Sequence, residues 1–154
     1  MIQITEQLRL RRYDNECEFA LKWYQDRELL DLVDGKDSQP YTMKKLRDMY
    51  SYLDHKGELY FIEIEKEGVF IAIGDVTFSE NDMPIVIGEK SYRGIGIGTQ
   101  VIQALKKRAY QLGYRQLNIR EIYDYNKASQ KLFEREGFKI NKKTEKGYSY
   151  TCIL

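Results

Sequence analysis

The chain has 154 residues, of which 42% are hydrophobic, and this is enough apolar material for one hydrophobic core. Its 25 Lys and Arg residues nearly balance its 24 Asp and Glu residues, which leaves a formal net charge of +1. Proteins dedicated to nucleic acids normally carry a strong basic excess, so this balance argues against that class. We therefore expect a single domain spanning residues 1–154, without a nucleic-acid partner.

The cysteines and the N-terminus indicate the compartment. Cys17 and Cys152 stand near opposite ends of the sequence, with no CxxC or Cys/His spacing around them, which argues against a structural zinc site and favours reduced thiols. The N-terminal "MIQITEQLRLRRYDNE" lacks the apolar segment of a signal peptide, and no run approaches the roughly 18 apolar residues of a membrane span. We expect a cytoplasmic protein with no metal and no membrane association.

The first third of the chain predicts one strand and two helices. Apolar and charged residues alternate in "LRLRRY", as in a half-buried strand, and Asp14 can cap a helix over "NECEFALKWY". Gly35 and Pro40 interrupt the next segment. Thr42 can then cap a second helix, whose apolar residues recur at helical spacing: Met43, Leu46, Met49, Tyr50 and Leu53.

The middle of the chain changes to a strand pattern. "ELYFIEIEK" alternates, Glu67 and Gly68 form a tight-turn signal, and "VFIAIGDVTF" continues with β-branched and aromatic residues, which together predict a β-hairpin. "MPIVIG" predicts a third strand of the same sheet.

The last third alternates helices and strands. A helix with an apolar face follows the glycine-rich turn and stops at Gly113, and "YRQLNIREI" predicts the next strand. "NKASQKLFERE" predicts another amphipathic helix, stopped by Gly137. "FKINKKTEKGYSYTCIL" predicts a closing hairpin around Gly147.

The glycine-rich turn is the most informative segment. "YRGIGIGTQV" places Gly94, Gly96 and Gly98 at alternate positions where a helix begins. The first N–H groups of a helix lack intrahelical partners, so this position suits a phosphate. A P-loop requires Lys before Ser or Thr, yet Gly98 precedes Thr99, and the dinucleotide fingerprint requires a wider spacing of its last two glycines. Neither motif is present, and by itself the turn could equally be a tight connection.

A third phosphate-binding signature does match. Arg93, Gly96 and Gly98 fit the pyrophosphate-binding pattern of the GNAT superfamily of N-acetyltransferases, which is Arg or Gln, two residues, Gly, one residue, then Gly or Ala. The chain also resembles this superfamily, and within it the ribosomal-protein N-acetyltransferases, in the strand before the turn, the long helix after it and the segment "NKASQKLFEREGF". The resemblance covers roughly residues 83–140, whereas the N-terminal part agrees only in element order.

The resemblance implies an α+β fold and a cofactor. The expected fold is a twisted mixed sheet of six or seven strands flanked by about four helices, in which two parallel strands splay apart and the pantetheine arm of acetyl-CoA lies between them. The strand backbone at Ile85, Val86 and Ile87 would bind that arm, and Asn126 would reach the cofactor from the opposite wall. Phe133 is a further expected cofactor contact. The pyrophosphate would be held by the main chain of the turn, formed by Arg93, Gly94, Ile95, Gly96, Ile97, Gly98 and Thr99.

The resemblance also implies direct attack of an amine on the thioester, assisted by a base and an acid. Glu121 lies at the position of the base proposed in similar enzymes, although a solvated or salt-bridged glutamate at a strand end is an open alternative, and Glu89 is a weaker candidate. The family often uses a tyrosine as the acid, but Phe133 stands at that position and cannot donate a proton. Tyr123, Tyr125 or water could replace the tyrosine, or the protein could be a non-catalytic module that binds or senses acyl-CoA.

The acceptor is an amine of unassigned identity. Similar enzymes build the acceptor wall near the end of the first helix, where this chain has Trp23, Tyr24, Asp26 and Glu28. Acidic groups there would suit a cationic amine such as a polyamine, an aminoglycoside or a peptide N-terminus, but the simpler interpretation is an ordinary charged helix end with a buried Trp23. His55, the only histidine, is expected to be a solvated residue of a polar turn. A nucleotide-binding protein is a third functional class to be tested. A homodimer is the assembly that we consider beside a single chain.

Overall fold

The computed structural model describes all 154 residues and contains eight strands in two sheets. The first sheet has the order β1-β2-β3-β4-β5, and the second has the order β6-β8-β7. The strands of the first sheet are β1 (Ile2–Gln3), β2 (Leu8–Arg12), β3 (Glu58–Lys66), β4 (Val69–Phe78) and β5 (Ile85–Ile87). Those of the second are β6 (Gln116–Tyr123), β7 (Lys139–Lys143) and β8 (Gly147–Ile153).

Four α-helices accompany the strands: α1 (Arg27–Val33), α2 (Met43–Lys56), α3 (Ile97–Gln111) and α4 (Lys127–Arg135). The chain divides into two compact units. The first unit comprises Met1–Thr77 and Ile85–Ile95, and the second comprises Phe78–Pro84 and Gly96–Leu154. The mixed α+β fold is confirmed, whereas the single domain stays a prediction.

The sheet differs from the expected one in strand number and in continuity. The chain has eight strands instead of six or seven, because the two-residue β1 pairs with β2 and carries no strand pattern of its own. One sheet was expected and two are present, and β5 and β6 are each the last strand of their own sheet. Within the second unit, Asn118 N–H donates to the carbonyl of Glu80 (3.0 Å) and Arg120 N–H donates to Asp82 Oδ1 (3.1 Å). A loop therefore covers this part of the outer edge of β6, where a further strand would otherwise pair.

The prediction of a helix after the first strand is wrong. Glu18–Ala20 and Trp23–Gln25 form two 3₁₀ turns, and Asp14 accepts a hydrogen bond from Glu16 N–H instead of capping a helix. Cys17, Ala20 and Trp23 are buried and lie three residues apart, which is the repeat of a 3₁₀ helix.

Several local signals are confirmed by the structure. Thr42 Oγ1 accepts the N–H of Lys45 and caps α2. Glu67 and Gly68 both have positive φ, 54° and 81°, as a two-residue hairpin turn between β3 and β4 requires. The segment interrupted by Gly35 also forms a helix that the sequence did not predict, α1, which this glycine ends at a φ of 96°.

A buried carboxylate lies inside the aromatic core of the first unit. Asp75 on β4 is 3% exposed, and its Oδ2 accepts the hydroxyl groups of Tyr24 and Tyr50, each at 2.7 Å. Burial raises the pKa of Asp75 to about 6, although the two tyrosine hydrogen bonds act in the opposite direction. Burial and the charge of Asp75 in turn raise the pKa of Tyr24 well above its ordinary value. Two neutral hydroxyl groups of the core therefore take the place of water as hydrogen-bond donors to this carboxylate.

Replacing Asp75 by Asn should remove a pH-dependent part of the stability. Because the pKa is raised in the folded state, the stability linked to Asp75 is fully present below about pH 4 and is lost as the pH rises to about 6. At 1.4 kcal/mol per pKa unit, this loss amounts to about 3 kcal/mol. The amide oxygen of the new side chain can still accept both tyrosine hydroxyls, so Asp75→Asn should fold. Its free energy of unfolding, measured by urea denaturation at a series of pH values, should lack this part of the dependence on pH.

Asp48→Asn is the matched control, because it removes one carboxylate from the exposed surface of α2, where Asp48 pairs with Lys44. The account of Asp75 is contradicted if Asp75→Asn keeps the pH slope of the parent between about pH 4 and 6.

Candidate active site

The three glycines of the turn serve two different purposes. Gly94 and Gly96 have φ values of 72° and 92°, which L residues rarely adopt, and a Cβ at either position would meet no atom within 4 Å. Gly98 lies inside α3, and a Cβ there would come within 3.0 Å of Leu132 Cδ2 on α4. The first two glycines shape the turn and leave its backbone bare, whereas the third allows a close helix contact.

The N-terminus of α3 has free amide groups. Gly96 is its N-cap and has no side chain to bond them, and the first helical hydrogen bond runs from Gln100 N–H to the Gly96 carbonyl at 3.2 Å. The N–H groups of Ile97, Gly98 and Thr99 precede that bond and therefore have no intrahelical acceptor. By contrast, α2 and α4 are capped by the side chains of Thr42 and Asn126. Free amides at a helix N-terminus bind anions, phosphate above all.

The backbone of β5 offers a second set of polar groups. The N–H of Gly88 donates to the Ile73 carbonyl at 2.8 Å, and Val86 lies opposite Asp75 in the same antiparallel ladder. Bonded positions alternate along such a ladder, so the N–H and carbonyl groups of Ile85 and Ile87 point away from β4. Because β5 is the last strand of its sheet, these groups lie on the open edge.

The side chain of Arg93 is directed at the end of this strand. Its Nε donates to the Ile87 carbonyl at 2.8 Å and its Nη2 donates to the Gly88 carbonyl at 3.2 Å. The signature arginine therefore joins the start of the glycine turn to β5, and it leaves the main chain of the turn available to a ligand.

In the second unit, Glu121 is exposed on β6 beside an irregularity in the β6–β8 register between Ile119 and Ile122. Its Oε2 accepts the main-chain N–H of Lys146 at 3.1 Å. The other carboxylate oxygen, Oε1, accepts no main-chain N–H group, so a base at Glu121 would act through Oε1.

The remaining positions carried over from the resemblance have structural partners. Asn126 Oδ1 accepts the N–H of Ser129 at 3.2 Å as the N-cap of α4. Phe133 is 3% exposed, and its ring lies 5.1 Å from that of Phe138 in an edge contact, so it belongs to the core of the second unit. The rings of Tyr123 and Tyr125 are stacked at 5.5 Å. Cofactor contacts of Asn126 and Phe133 stay predictions.

The proposed acceptor residues divide into buried and exposed pairs. Trp23 and Tyr24 are each 2% exposed, whereas Asp26 and Glu28 lie on the surface, and Glu28 pairs with Lys90 at 3.2 Å. His55 is exposed, as expected, but it lies in the last turn of α2 with Nδ1 2.6 Å from the Ser51 carbonyl, so its placement in a loop is wrong.

The two units carry opposite charges, which the whole-chain balance conceals. The first unit has 13 Lys and Arg against 17 Asp and Glu, a net charge of −4. The second has 12 against 7, a net charge of +5. No helix is both long and apolar enough to cross a membrane. Nowhere do three or more His, Cys, Asp or Glu side chains come together as a metal site would require.

Comparison with known proteins identifies a family match. The model of a family described as "Acetyltransferase (GNAT) family" matches residues 21–138. The sequence has no match among the curated proteins.

Solved structures share the fold at low sequence identity. A domain from Methanocaldococcus jannaschii is 24% identical, with a TM-score of 0.80 over 96% of this chain and 99% of that one. RimL, a ribosomal L7/L12 α-N-protein acetyltransferase in complex with coenzyme A, is 18% identical, with a TM-score of 0.78 over 99% and 97%. A spermidine N-acetyltransferase from Vibrio cholerae, in complex with CoA and spermine, is also 18% identical, with a TM-score of 0.75 over 97% and 96%.

The different purposes of the glycines predict different costs of substitution. Gly96→Ala should lower the free energy of unfolding by about 1–2 kcal/mol, because an L residue is strained at the positive φ of this position. Gly98→Ala should change it little, because the gain of up to about 1 kcal/mol in helix propensity opposes the contact with the flexible Leu132 side chain. Urea denaturation measures the free energy of unfolding of both variants. Equal losses of stability would show that the positive φ of Gly96 does not determine the cost of replacing it.

Proposed function

Because the chain belongs to the GNAT family of acetyltransferases, we propose that it transfers the acetyl group of acetyl-CoA to a primary amine. The acceptor is a small molecule or the N-terminus of a peptide or protein. The single observation that carries this proposal is the uncapped N-terminus of α3 behind the positive-φ residues Gly94 and Gly96. Bound acetyl-CoA would supply an activated acetyl group as a thioester, and no metal is needed for its transfer.

The residues present fit this cosubstrate. The pyrophosphate would accept hydrogen bonds from main-chain N–H groups of the turn, from Gly94 to Thr99, because the Arg93 N–H already donates to the Lys90 carbonyl at 3.2 Å. A Cβ at Gly94 or Gly96 would meet no atom within 4 Å, so a phosphate can approach the backbone there. The outward N–H groups of Ile85 and Ile87 and the carbonyl of Ile85 would bond the amides of the pantetheine arm, with Val86 between them in the strand, whereas the carbonyl of Ile87 already accepts Arg93 Nε. The net charge of +5 on the second unit favours the phosphates of the cosubstrate, and Asn126 on this unit is the further polar contact that we assign.

The acceptor must lose a proton before its nitrogen can attack the thioester carbonyl. We assign Glu121 as the base, which takes that proton directly or through water with the carboxylate oxygen that does not bond Lys146. The C–S bond of the thioester breaks as the new C–N bond forms, and the departing thiolate takes a proton. Phe133 cannot supply this proton, so the acid is Tyr123, Tyr125 or water.

The charge of the first unit favours a cationic acceptor. Residues 14–37 alone carry eight acidic and three basic side chains, and they include the exposed Asp26 and Glu28. A polyamine, an aminoglycoside or a basic peptide N-terminus would be attracted to this segment.

A screen of amines with detection of the free CoA thiol tests the function. Spermidine, an aminoglycoside and a short peptide with a free N-terminus represent the three acceptor classes. We expect at least one to release CoA saturably, well above the slow hydrolysis of acetyl-CoA alone.

Phe133 in place of a tyrosine favours one second candidate, a non-catalytic module that binds or senses acyl-CoA. Tight binding of acetyl-CoA without turnover on any amine would support this module and contradict the enzyme. Greater thermal stabilisation by ATP than by CoA would contradict both and favour a nucleotide-binding protein.

The assignment of Glu121 predicts a pH-dependent loss of activity. Glu121→Gln keeps an oxygen that can accept the Lys146 N–H, so the fold and the affinity for CoA should not change. Its kcat/KM should fall by about 10²–10⁴ at low pH, where the amine most needs a base, and less at high pH. Glu145→Gln, an exposed position in the same unit, is the control. Full activity of Glu121→Gln at every pH would eliminate this residue as the base.

A further inference from the structure

A tryptophan far away in the sequence is bonded to the segment that leads into the glycine turn. The indole N–H of Trp23 donates to a carboxylate oxygen of Glu89, 66 residues away. The ammonium group of Lys22 lies 3.1 Å from the same oxygen, Oε2. Trp23 is 2% exposed, and this hydrogen bond satisfies its buried polar group.

Gly88 makes this arrangement possible. A Cβ at this position would lie 2.2 Å from Cδ2 and 2.3 Å from Cγ of Trp23, distances that no real contact allows. The indole ring therefore rests directly on the main chain at the end of β5. Its position is fixed by this contact and by the bond to Glu89 at the next residue.

The main chain from residue 88 to residue 93 is anchored at several points. Gly88 N–H and Glu89 N–H both donate to the Ile73 carbonyl, at 2.8 Å and 3.0 Å. The Glu89 carbonyl accepts Tyr92 N–H at 3.0 Å, and the Arg93 side chain bonds back to the end of β5. The first positive-φ residue of the turn thus follows a segment whose position is set by a tryptophan, a strand carbonyl and an arginine together.

The carboxylate of Glu89 is kept ionised. Partial burial acts to raise its pKa, but the hydrogen bond from Trp23, the ion pair with Lys22 and the charge of Arg93 outweigh it and lower the pKa below its ordinary value. An ionised acceptor makes the indole bond stronger than a neutral one would. The nearby cations also offset the repulsion that this carboxylate would exert on an anion at the turn.

We propose that Trp23 and Glu89 are positioning residues for the cosubstrate, which hold the segment 88–93 so that the turn after it presents its amides to the pyrophosphate. This inference rests on the proposed function and deepens it, because it assigns part of the acetyl-CoA affinity to side chains that do not touch acetyl-CoA. It also makes Trp23, the only tryptophan of the chain, a reporter of the state of the turn.

The test compares CoA affinity with stability in three variants. Glu89→Ala removes the acceptor of the indole bond, Trp23→Phe removes its donor but keeps a ring on Gly88, and Glu89→Gln retains an oxygen that can accept it. Isothermal titration with acetyl-CoA, far below the unfolding temperature, gives the dissociation constant, and thermal denaturation gives the stability. Asp54→Ala is the control, because Asp54 is also a half-buried carboxylate of the first unit paired with a cation, Arg12, at 3.3 Å.

We expect Glu89→Ala and Trp23→Phe to remain folded and to weaken acetyl-CoA binding by about tenfold or more, the effect of losing a hydrogen bond to a charged group. Glu89→Gln should recover most of the affinity, and Asp54→Ala should bind like the parent. The fluorescence of Trp23 in the parent should change saturably with acetyl-CoA, with the same dissociation constant as the titration.

Four results would contradict the proposal. A folded Glu89→Ala protein with the affinity of the parent overturns the proposal, as does failure of Glu89→Gln to recover any affinity. If neither Glu89→Ala nor Trp23→Phe folds, the bond serves folding and the proposal is also overturned. A parent that does not bind acetyl-CoA contradicts the proposed function itself and the inference with it.

Discussion

The first N–H groups of an α-helix have no acceptors within the helix, and the proposed site depends on this constraint. In α2 and α4 a side chain, Thr42 or Asn126, bonds one of these groups. In α3 the N-cap is Gly96, at a φ of 92°. It has no side chain to bond these groups, and a Cβ at its position would meet no atom within 4 Å. A helix end of this kind is stabilised by an anion, and we propose that this anion is the pyrophosphate of acetyl-CoA.

Contacts within each unit support the site that we propose. Arg93 donates from its guanidinium group to the Ile87 carbonyl on β5, and Trp23 packs on Gly88 and bonds Glu89, so contacts within the first unit hold the segment that leads into the turn. The opposite net charges of the two units, −4 and +5, are those expected to attract the cationic acceptor and the anionic acetyl-CoA that we propose. A net charge of +1 for the whole chain conceals this division, which only the grouping of residues in space reveals.

Features that depend on neighbours in sequence could be predicted from the sequence. The cap at Thr42, the Glu67–Gly68 hairpin and the glycine turn before α3 each follow from a few adjacent residues, and the structure confirms them. The helical pattern over residues 15–24 misled because repeats of three and 3.6 residues are hard to distinguish over two turns, and the burial of every third residue from Cys17 to Trp23 selects the 3₁₀ form. The separation of the sheets was missed because residues 79–84 have the composition of a turn, and nothing in that composition indicates that Glu80 and Asp82 bond the edge of β6.

The candidate site was predictable where the motif is local and not where it depends on distant contacts. Gly88 gives no sign in the sequence that Trp23 lies against it, and Gly98 gives no sign of its contact with α4. Position in the motif alone could not show that Glu121 bonds the main chain of Lys146. These contacts join segments that are distant along the chain, and local periodicity does not encode them.

The most direct test of the central claim is a titration of isotopically labelled protein with coenzyme A, followed by the NMR chemical shifts of its backbone amides. The account predicts saturable changes at Ile97, Gly98 and Thr99, whose N–H groups are free at the start of α3, and much smaller changes at Lys45 and Ser129, whose N–H groups are already capped. Saturable binding of coenzyme A that leaves the amides of Ile97, Gly98 and Thr99 unchanged would contradict it.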